Sequence, residues 1–196
     1  MSTSTGSERR TGTETRAEIL RVALRLFTEK GFEGTSTRDI SSALGMTKSS
    51  LYYHFKNKEE IVASLMDERR DELDEFVEWL AAQPPAPDLL RRAVLRWVSG
   101  ATPERLQLMS LAHANQPIMR RLMGSGQELR SNFDRVIDLL TGEAAGPRER
   151  LLTRMAFDTV SAALLAALGT DAGPDEIIAA ARDAGAALAD SLTPGG

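Results

Sequence analysis

The residues best suited to chemistry lie between positions 37 and 58, in the run TRDISSALGMTKSSLYYHFKNK. Two short helical segments meet there around Gly45, which is the pattern of a helix-turn-helix. Glycine enters left-handed backbone conformations without steric cost, so Gly45 suits the tight turn. The run supplies cations, hydroxyls and phenols, groups that contact the phosphates and base edges of a double helix.

The second of these helical segments has an apolar and a polar side. Five apolar residues of the run can face inward: Ile40, Leu44, Met46, Leu51 and Phe55. The outward residues are then Lys48, Ser49, Tyr52, Tyr53 and Lys56. The alternative places Tyr52 and Tyr53 in the core, but Leu51 and Phe55 already occupy the inward side. Thr37, together with the backbone N–H groups at the start of the first segment, and Lys58 are expected to hold phosphates.

Charge is distributed unevenly along the 196 residues, whose formal net charge is −4. Residues 1–60 hold ten Lys/Arg and eight Asp/Glu, a net of +2. Residues 61–196 hold fourteen Arg and twenty Asp/Glu, a net of −6, and all the lysines lie in the first segment. Such asymmetry indicates a nucleic-acid face in the N-terminal part of an acidic protein.

Composition excludes several functional classes. The absence of cysteine excludes disulfides, cysteine-ligated metals and a thiol nucleophile, and two histidines argue against a multi-histidine metal site. No HExxH, GxSxG or glycine-rich phosphate loop occurs, so we expect neither an enzyme nor a bound cofactor. No apolar run of membrane-spanning length and no N-terminal apolar segment are present, so we expect a cytoplasmic protein.

The pattern of apolar residues predicts an all-α fold of about nine helices, with no alternating strand pattern. Leu20, Ala23, Leu24 and Phe27 form one stripe of a first helix that ends at Gly31. Later helices are expected over 37–44, 48–54, 57–80, 88–99, from 103, 117–140, 146–168 and 173–192. An interruption of the 117–140 helix at Gly124, Ser125 and Gly126 is the alternative to one continuous helix. Three domains follow: a disordered arm over 1–13, a helix-turn-helix domain over 14–60 and a C-terminal domain over 61–193.

Helix caps support these boundaries. Ser36 and Thr47 are each placed to cap the helix that follows. Asn57 is placed to cap the long fourth helix, with Glu60 three residues later completing a capping-box pair.

The run GFEGTSTRDISSALGMTKSSLYYHFKNKEEIV resembles the DNA-binding domain of the TetR family of bacterial repressors. The resemblance covers about residues 15–65, and LYYHFKNKEE is its most specific part. It implies that Thr37 and Arg38 contact the DNA backbone or bases, and that Lys48, Ser49 and Ser50 read bases. It further implies that Tyr52, Tyr53 and His54 contact phosphate and bases, and that Lys58 contacts phosphate. Thr47 belongs to the same predicted interface, and packing against the first helix is the alternative for His54.

The C-terminal domain holds weaker candidates for an effector pocket. They are Phe76, Trp79, Trp97, Met109, His113, Phe133, Met155 and Asp158. The aromatic and methionine side chains are most simply core residues, although methionine also suits adaptable pockets. An exposed pair with Arg154 is the favoured account of Asp158. For His113 a capping or surface role is the simpler account.

The last two predicted helices are rich in alanine, and small residues allow helices to approach closely. In the TetR family these helices pair with those of a second subunit, although alanine also simply favours helix. We therefore expect a homodimeric repressor that binds a palindromic operator in double-stranded DNA and is released by a small molecule. The alternative is a helical protein–protein interaction module that no longer binds DNA.

Overall fold

The computed structural model describes residues 11–122, 127–142 and 144–192, and all regular structure in these ranges is helical. The predicted all-α class is confirmed, with eleven helices in the described ranges where about nine were expected. The chain divides into two compact units that meet between residues 65 and 66. Within the described ranges, no helix has the length and apolar character needed to cross a membrane.

The first unit contains three helices and the start of a fourth. These are α1 (Gly12–Lys30), α2 (Thr37–Ala43), α3 (Lys48–His54) and α4 (Lys58–Ala81), which continues into the second unit. The predicted α1 stripe is buried, and α1 packs against α2, which packs in turn against α3. The core of this unit includes Ile19, Leu20, Ala23, Leu24, Phe27, Phe32, Ile40, Leu51, Phe55, Ile61 and Val62. Leu44 and Met46, which were expected to face inward, are half-buried.

The N-terminus of α1 differs from the expectation. Thr11 caps the helix, its hydroxyl accepting from the Glu14 N–H while the Glu14 carboxylate accepts from the Thr11 N–H. Helix α1 therefore begins at Gly12, inside the segment that was expected to be a disordered arm. The remainder of that predicted arm, residues 1–10, lies outside the described residues.

The predicted caps on α2 and α3 are present. The Ser36 hydroxyl accepts from the Asp39 N–H at 3.2 Å, and the Thr47 hydroxyl accepts from the Ser50 N–H at 3.1 Å. Gly45 adopts a φ of +63° in the turn between the two helices, a conformation that favours glycine.

At the start of α4 the predicted capping box forms only in part. The Asn57 side chain accepts from the Glu60 N–H at 2.8 Å, as expected. The Glu60 carboxylate, however, accepts from the Lys56 N–H at 2.7 Å and not from Asn57. The predicted reciprocal pair was therefore wrong by one residue, because the backbone before the helix presents the N–H of Lys56 to this carboxylate.

The second unit is built around the C-terminal helix. Its remaining helices are α5 (Leu89–Ser99), α6 (Pro103–Ala114), α7 (Gln116–Leu122), α8 (Gln127–Thr141), α9 (Pro147–Phe157), α10 (Thr159–Ala166) and α11 (Pro174–Leu192). Helix α11 packs against α5, α9 and α10, and α8 packs against α9. The core includes Leu73, Phe76, Val77, Val94, Trp97, Val98, Val136, Phe157, Ala181 and Ala189.

The extra helices arise where two long ones were predicted. Helices α7 and α8 replace the helix expected over 117–140. The interruption considered at residues 124–126 falls between them, on positions that lie outside the described residues. The helix expected over 146–168 is divided at Asp158 into α9 and α10. The buried Thr159 hydroxyl donates to the Ala156 carbonyl at 3.1 Å. Such side-chain bonds compete with the backbone ladder and bend helices.

A close helix contact in the second unit depends on Gly185 of α11. A Cβ placed there would lie 2.8 Å from Val94 Cγ1 on α5 and 3.3 Å from the Ala156 carbonyl oxygen on α9. Val94 is fully buried, and a β-branched side chain has little freedom to rotate away. Glycine at this position therefore sets how closely α11 approaches its neighbours.

Gly185→Ala should destabilise the protein. Overpacking costs about 1–3 kcal/mol, which outweighs the gain of about 1 kcal/mol that alanine brings to a helix. A fall in Tm of about 2–4 °C per kcal/mol lost is expected in a thermal melt of a chain of this size. Gly12→Ala is the control, since no atom lies within 4 Å of its Cβ position. A Gly185→Ala variant as stable as the Gly12→Ala variant would contradict the close contact.

Candidate functional site

Helix α3 is held by two apolar side chains on one side. Leu51 is 0% exposed and Phe55, just after the helix, is 1% exposed. On the other side Tyr53 is 86% exposed and Tyr52 is 43% exposed. The inward and outward sides predicted from the sequence are those found, and the core placement of the two tyrosines is excluded.

The N-terminal half of α3 presents a cation and hydroxyls. Lys48, Ser49 and Ser50 are all exposed. The hydroxyls of Thr47 and Ser50 lie 2.8 Å apart and are engaged in the cap, so both already have partners. Lys48 and Ser49 are therefore the residues of this segment best placed to contact an outside molecule.

Tyr52 links α3 to the first residue of α2. Its phenol oxygen lies 3.4 Å from the Thr37 hydroxyl, and Lys48 Nζ lies 5.4 Å from the centre of its ring. The hydrogen bond with Thr37 lowers the pKa of the Tyr52 phenol, desolvation opposes this, and the charge of Lys48 lowers it further. The structure thus brings Thr37, Lys48 and Tyr52 together. Arg38, the residue after Thr37 on α2, is exposed.

His54 is half-buried and occupies the end of α3. Its ring meets the Tyr53 ring edge-on, with centroids 5.2 Å apart. Its carbonyl oxygen accepts a hydrogen bond from Arg16 at 3.2 Å. The ring of His54 thus lies beside an exposed tyrosine and its backbone is tied to α1, and the predicted DNA contact of His54 remains a prediction.

Arg16 is a positioning residue that sequence reasoning missed. Its guanidinium also donates to the Ser64 hydroxyl at 2.6 Å and lies 4.2 Å from the centre of the Phe55 ring. It therefore connects α1 to the end of α3 and to α4. The spacing of the sequence could have identified it, because Arg16 precedes Leu20 by four residues and so lies on the apolar stripe of α1.

Lys58 has partners within the first unit. Its ammonium donates to the Phe32 carbonyl at 2.7 Å, lies 3.4 Å from a Glu33 carboxylate oxygen and sits 4.2 Å from the centre of the Phe32 ring. An ammonium has several N–H donors, so these contacts leave room for a phosphate. The predicted phosphate contact remains a prediction.

In the second unit several of the predicted effector residues come together. Phe76 lies 5.1 Å from Trp97 and 5.7 Å from Trp79, and Trp97 lies 5.2 Å from Phe133, all between ring centroids. Met109 is partly buried against the same core. Phe157, which sequence reasoning did not single out, joins this aromatic cluster 5.9 Å from Phe76.

The other three candidates make different contacts. Asp158 is exposed and pairs with Arg154 at 3.4 Å, as the simpler account expected. The His113 ring is exposed, with Nδ1 2.8 Å from the Met109 carbonyl oxygen and Nε2 3.5 Å from the Ser161 hydroxyl. Met155 is 47% exposed. The structure thus does not gather these three around the aromatic cluster, and their role as effector ligands remains a prediction.

A cleft of about 370 Å³ opens beside the aromatic cluster. Its walls come from α4, α5 and the start of α6: Arg69, Glu72, Glu75, Phe76, Arg96, Trp97, Ser99, Gly100 and Arg105. Phe76 and Trp97 were predicted for an effector pocket, whereas the three arginines were not. Arg105 could have been noticed because it precedes Leu108 and Met109 by three and four residues, at helical spacing.

The chain matches known bacterial regulators. Residues 19–65 match the family model described as bacterial regulatory proteins of the tetR family. The HTH-type transcriptional regulator AcrR of Shigella flexneri is 36% identical over 99 residues, covering 49% of this chain and 46% of that protein. The HTH-type transcriptional repressor KstR2 of Mycobacterium tuberculosis is 40% identical over 68 residues, covering 35% of this chain and 30% of that protein. The chain thus spans less than half the length of these relatives.

Solved structures resemble the chain over most of its length. The ketosteroid transcriptional regulator KstR2 of Mycobacterium tuberculosis has a TM-score of 0.68 at 20% identity, covering 94% of this chain and 98% of that one. AmtR of Mycobacterium smegmatis has a TM-score of 0.64 at 26% identity, covering 93% and 96%. AcrR and KstR2 are transcriptional regulators, in agreement with the expectation that the chain is not an enzyme. Together with the helix-turn-helix geometry described above, the match over residues 19–65 shows that the N-terminal part of the chain is a domain of the tetR family of bacterial regulatory proteins, and the solved structures show that the chain shares their fold.

Proposed function

We propose that the chain is a transcriptional repressor that binds a palindromic operator as a homodimer and is released by a small molecule. The observation that carries this proposal is the orientation of α3, with Leu51 and Phe55 buried and Tyr53 86% exposed. An α-helix fits the major groove, where hydroxyls and cations meet base edges and phosphates. A repressor acts on the chromosome, so the proposal includes a cytoplasmic location.

The proposed operator contacts are those predicted from the sequence. Lys48, Ser49 and Ser50 would read bases, and Tyr52, Tyr53 and His54 would contact bases and phosphate. Thr37, Arg38, Thr47 and Lys58 would complete the interface. The exposed positions of Lys48, Ser49 and Tyr53 support the assignment most strongly, whereas Lys58 would have to share its ammonium with Phe32.

Exposed apolar side chains in the C-terminal helices support the proposed dimer. Leu151 and Met155 on α9, Leu165 on α10 and Leu168 just after it are between 46% and 69% exposed. Large exposed apolar side chains in one region of a chain mark interaction surfaces. A two-fold dimer also doubles the phosphate contacts across a palindrome.

The proposed effector would act by linkage. It must bind the protein that is released from DNA more tightly than the protein that is bound to DNA, because otherwise it does not shift the equilibrium between the two states. The proposed pocket is the cleft beside the aromatic cluster, where Phe76 and Trp97 form part of the lining. Helix α4 carries Phe76 and begins in the unit that contains α3, so it is the element proposed to connect effector binding with DNA release.

Selection of duplexes from a random DNA pool tests the proposed function. We expect enrichment of an inverted repeat whose half-sites are one helical turn apart or a multiple of it, a spacing of roughly 34–36 Å per turn. No enrichment over the starting pool would favour the interaction-module alternative. Enrichment of a single, unrepeated half-site would contradict binding as a two-fold dimer.

Lys48→Ala should weaken binding to the selected duplex. If Lys48 contacts a phosphate, the slope of log affinity against log salt should also fall by about 0.9; if it reads a base, discrimination at one position should relax. Affinity is measured by fluorescence anisotropy over a salt series. Arg25→Ala is the matched control, because it removes one positive charge from the same unit at an exposed position of α1. Equal losses in the two variants would remove Lys48 from the interface.

Light scattering should show a particle of about twice 21.3 kDa. Leu168→Glu should convert it to a monomer, since a carboxylate would replace a 69% exposed leucine within the proposed interface. Leu139→Glu is the control, as Leu139 is exposed on α8 and lies outside the proposed interface. A wild-type monomer at micromolar concentration, or a Leu168→Glu dimer, would contradict this interface.

A further inference from the structure

Arg105 is a buried cation without a carboxylate partner in the described part of the chain. It lies in the first turn of α6 and is 8% exposed. Its one hydrogen bond is long, at 3.5 Å from Nη1 to the Trp97 carbonyl oxygen, and its buried Nε has no partner. Burying a charged group that lacks partners costs free energy, so stability alone does not account for an arginine at this position.

A second arginine lies close to Arg105 and adds to the positive charge around it. Arg69 and Arg105 both lie on the Trp97 ring, with Cζ atoms 4.2 Å and 4.5 Å from its centroid. Arg69 is itself paired, to Glu72 at 2.7 Å. Burial lowers the pKa of Arg105 to about 9, the charge of Arg69 lowers it further and that of Glu72 opposes the shift, so the group is still protonated at neutral pH.

The cleft beside these residues has a charge opposite to that of a small organic acid and a volume large enough to hold one. Arg69, Arg96 and Arg105 face Glu72 and Glu75, which leaves a net charge of +1 among the described lining residues. Its volume of about 370 Å³ lies near the lower end of ligand pockets. Phe76 and Trp97, each 5% exposed, contribute aromatic edges to its lining. The absence of a side chain at Gly100 leaves room for Arg105 Nη1, 3.3 Å from the position of its Cβ.

We propose that this cleft binds a flat, apolar monocarboxylate, whose carboxylate pairs with Arg105 while its ring system packs against Trp97 and Phe76. The inference rests on the proposed small-molecule response and names the chemical class of its effector. A guanidinium presents parallel N–H donors that match a carboxylate. A single negative charge balances the net charge of the cleft, which a doubly charged phosphate would exceed.

Calorimetric titration of the full chain with 2-naphthoate and with neutral 2-naphthamide tests this class. The two probes share a ring system and differ in charge. Because hydrogen bonds to charged groups contribute more than neutral ones, naphthoate should bind with a Kd at least about tenfold lower. Equal affinities for the two probes, or no binding of naphthoate at millimolar concentration, would overturn the inference. So would inorganic phosphate binding more tightly than naphthoate.

Arg105→Met locates the carboxylate. The variant should lose the preference for naphthoate over naphthamide, while its Tm stays equal or rises because an unpartnered buried cation has been removed. Arg91→Met is the matched control, since Arg91 lies on α5 and pairs with Asp190 outside the cleft. Full preference retained in Arg105→Met would overturn the assignment. If that variant does not fold, the comparison of the two probes on the wild-type protein decides.

The proposed function is judged by a separate readout. Operator affinity is measured without either probe, so loss of naphthoate binding with intact operator binding defeats only the effector class. Naphthoate binding by a chain that selects no duplex would defeat the repressor proposal and leave the anion site standing.

Discussion

The burial of Leu51 and Phe55 is the constraint on which the proposed DNA-binding surface depends. Fully burying such a side chain contributes about 1.5–3 kcal/mol, whereas the polar contacts on the outer side of α3 are exposed and contribute less. A helix of seven residues is unstable by itself, so packing determines whether and how it forms. Once the two apolar side chains are anchored, the helical period places Lys48, Ser49 and Tyr53 outside. Arg16 reinforces this arrangement by holding the carbonyl at the end of α3.

Local features of the fold were predictable from the sequence, and tertiary ones were not. The caps at Ser36 and Thr47 and the turn at Gly45 depend on a few adjacent residues, and all three are present in the structure. The division of one long helix at Asp158 was missed, because it accompanies the buried hydroxyl of Thr159, whose burial depends on packing against other helices. The apolar sides of α1 and α3 were predicted correctly. The contacts of Lys58 with Phe32 and Glu33 join residues about 25 positions apart, so spacing could not reveal them.

Two arginines occupy the same kind of position in the sequence pattern but differ in the hydrogen bonds that they make. Arg16 and Arg105 both lie at helical spacing from buried apolar residues, where a charge is costly. The guanidinium of Arg16 has two acceptors, the His54 carbonyl and the Ser64 hydroxyl. That of Arg105 has one distant acceptor and an unpartnered Nε. The contacts of Arg16 within the fold account for it. The contacts of Arg105 with Trp97 leave its charge unpaired, and a carboxylate ligand is therefore proposed for it.

The exposed side chains of the two units differ in chemistry, and this difference separates their proposed partners. In the first unit the large exposed side chains are Tyr52 and Tyr53, whose rings carry hydroxyls and lie on the same helix as Lys48. Phenols and cations find acceptors on phosphates and bases, and an aliphatic protein surface offers none. In the described part of the second unit the large exposed apolar side chains are Leu139, Leu151, Met155, Leu165 and Leu168, and all but Leu139 lie on α9 and α10 or just after them. Those residues gain by excluding water against a similar surface, which a second copy of the same helices provides. This difference in composition supports nucleic acid as the proposed partner of the first unit and a second copy of the chain as the proposed partner of the second.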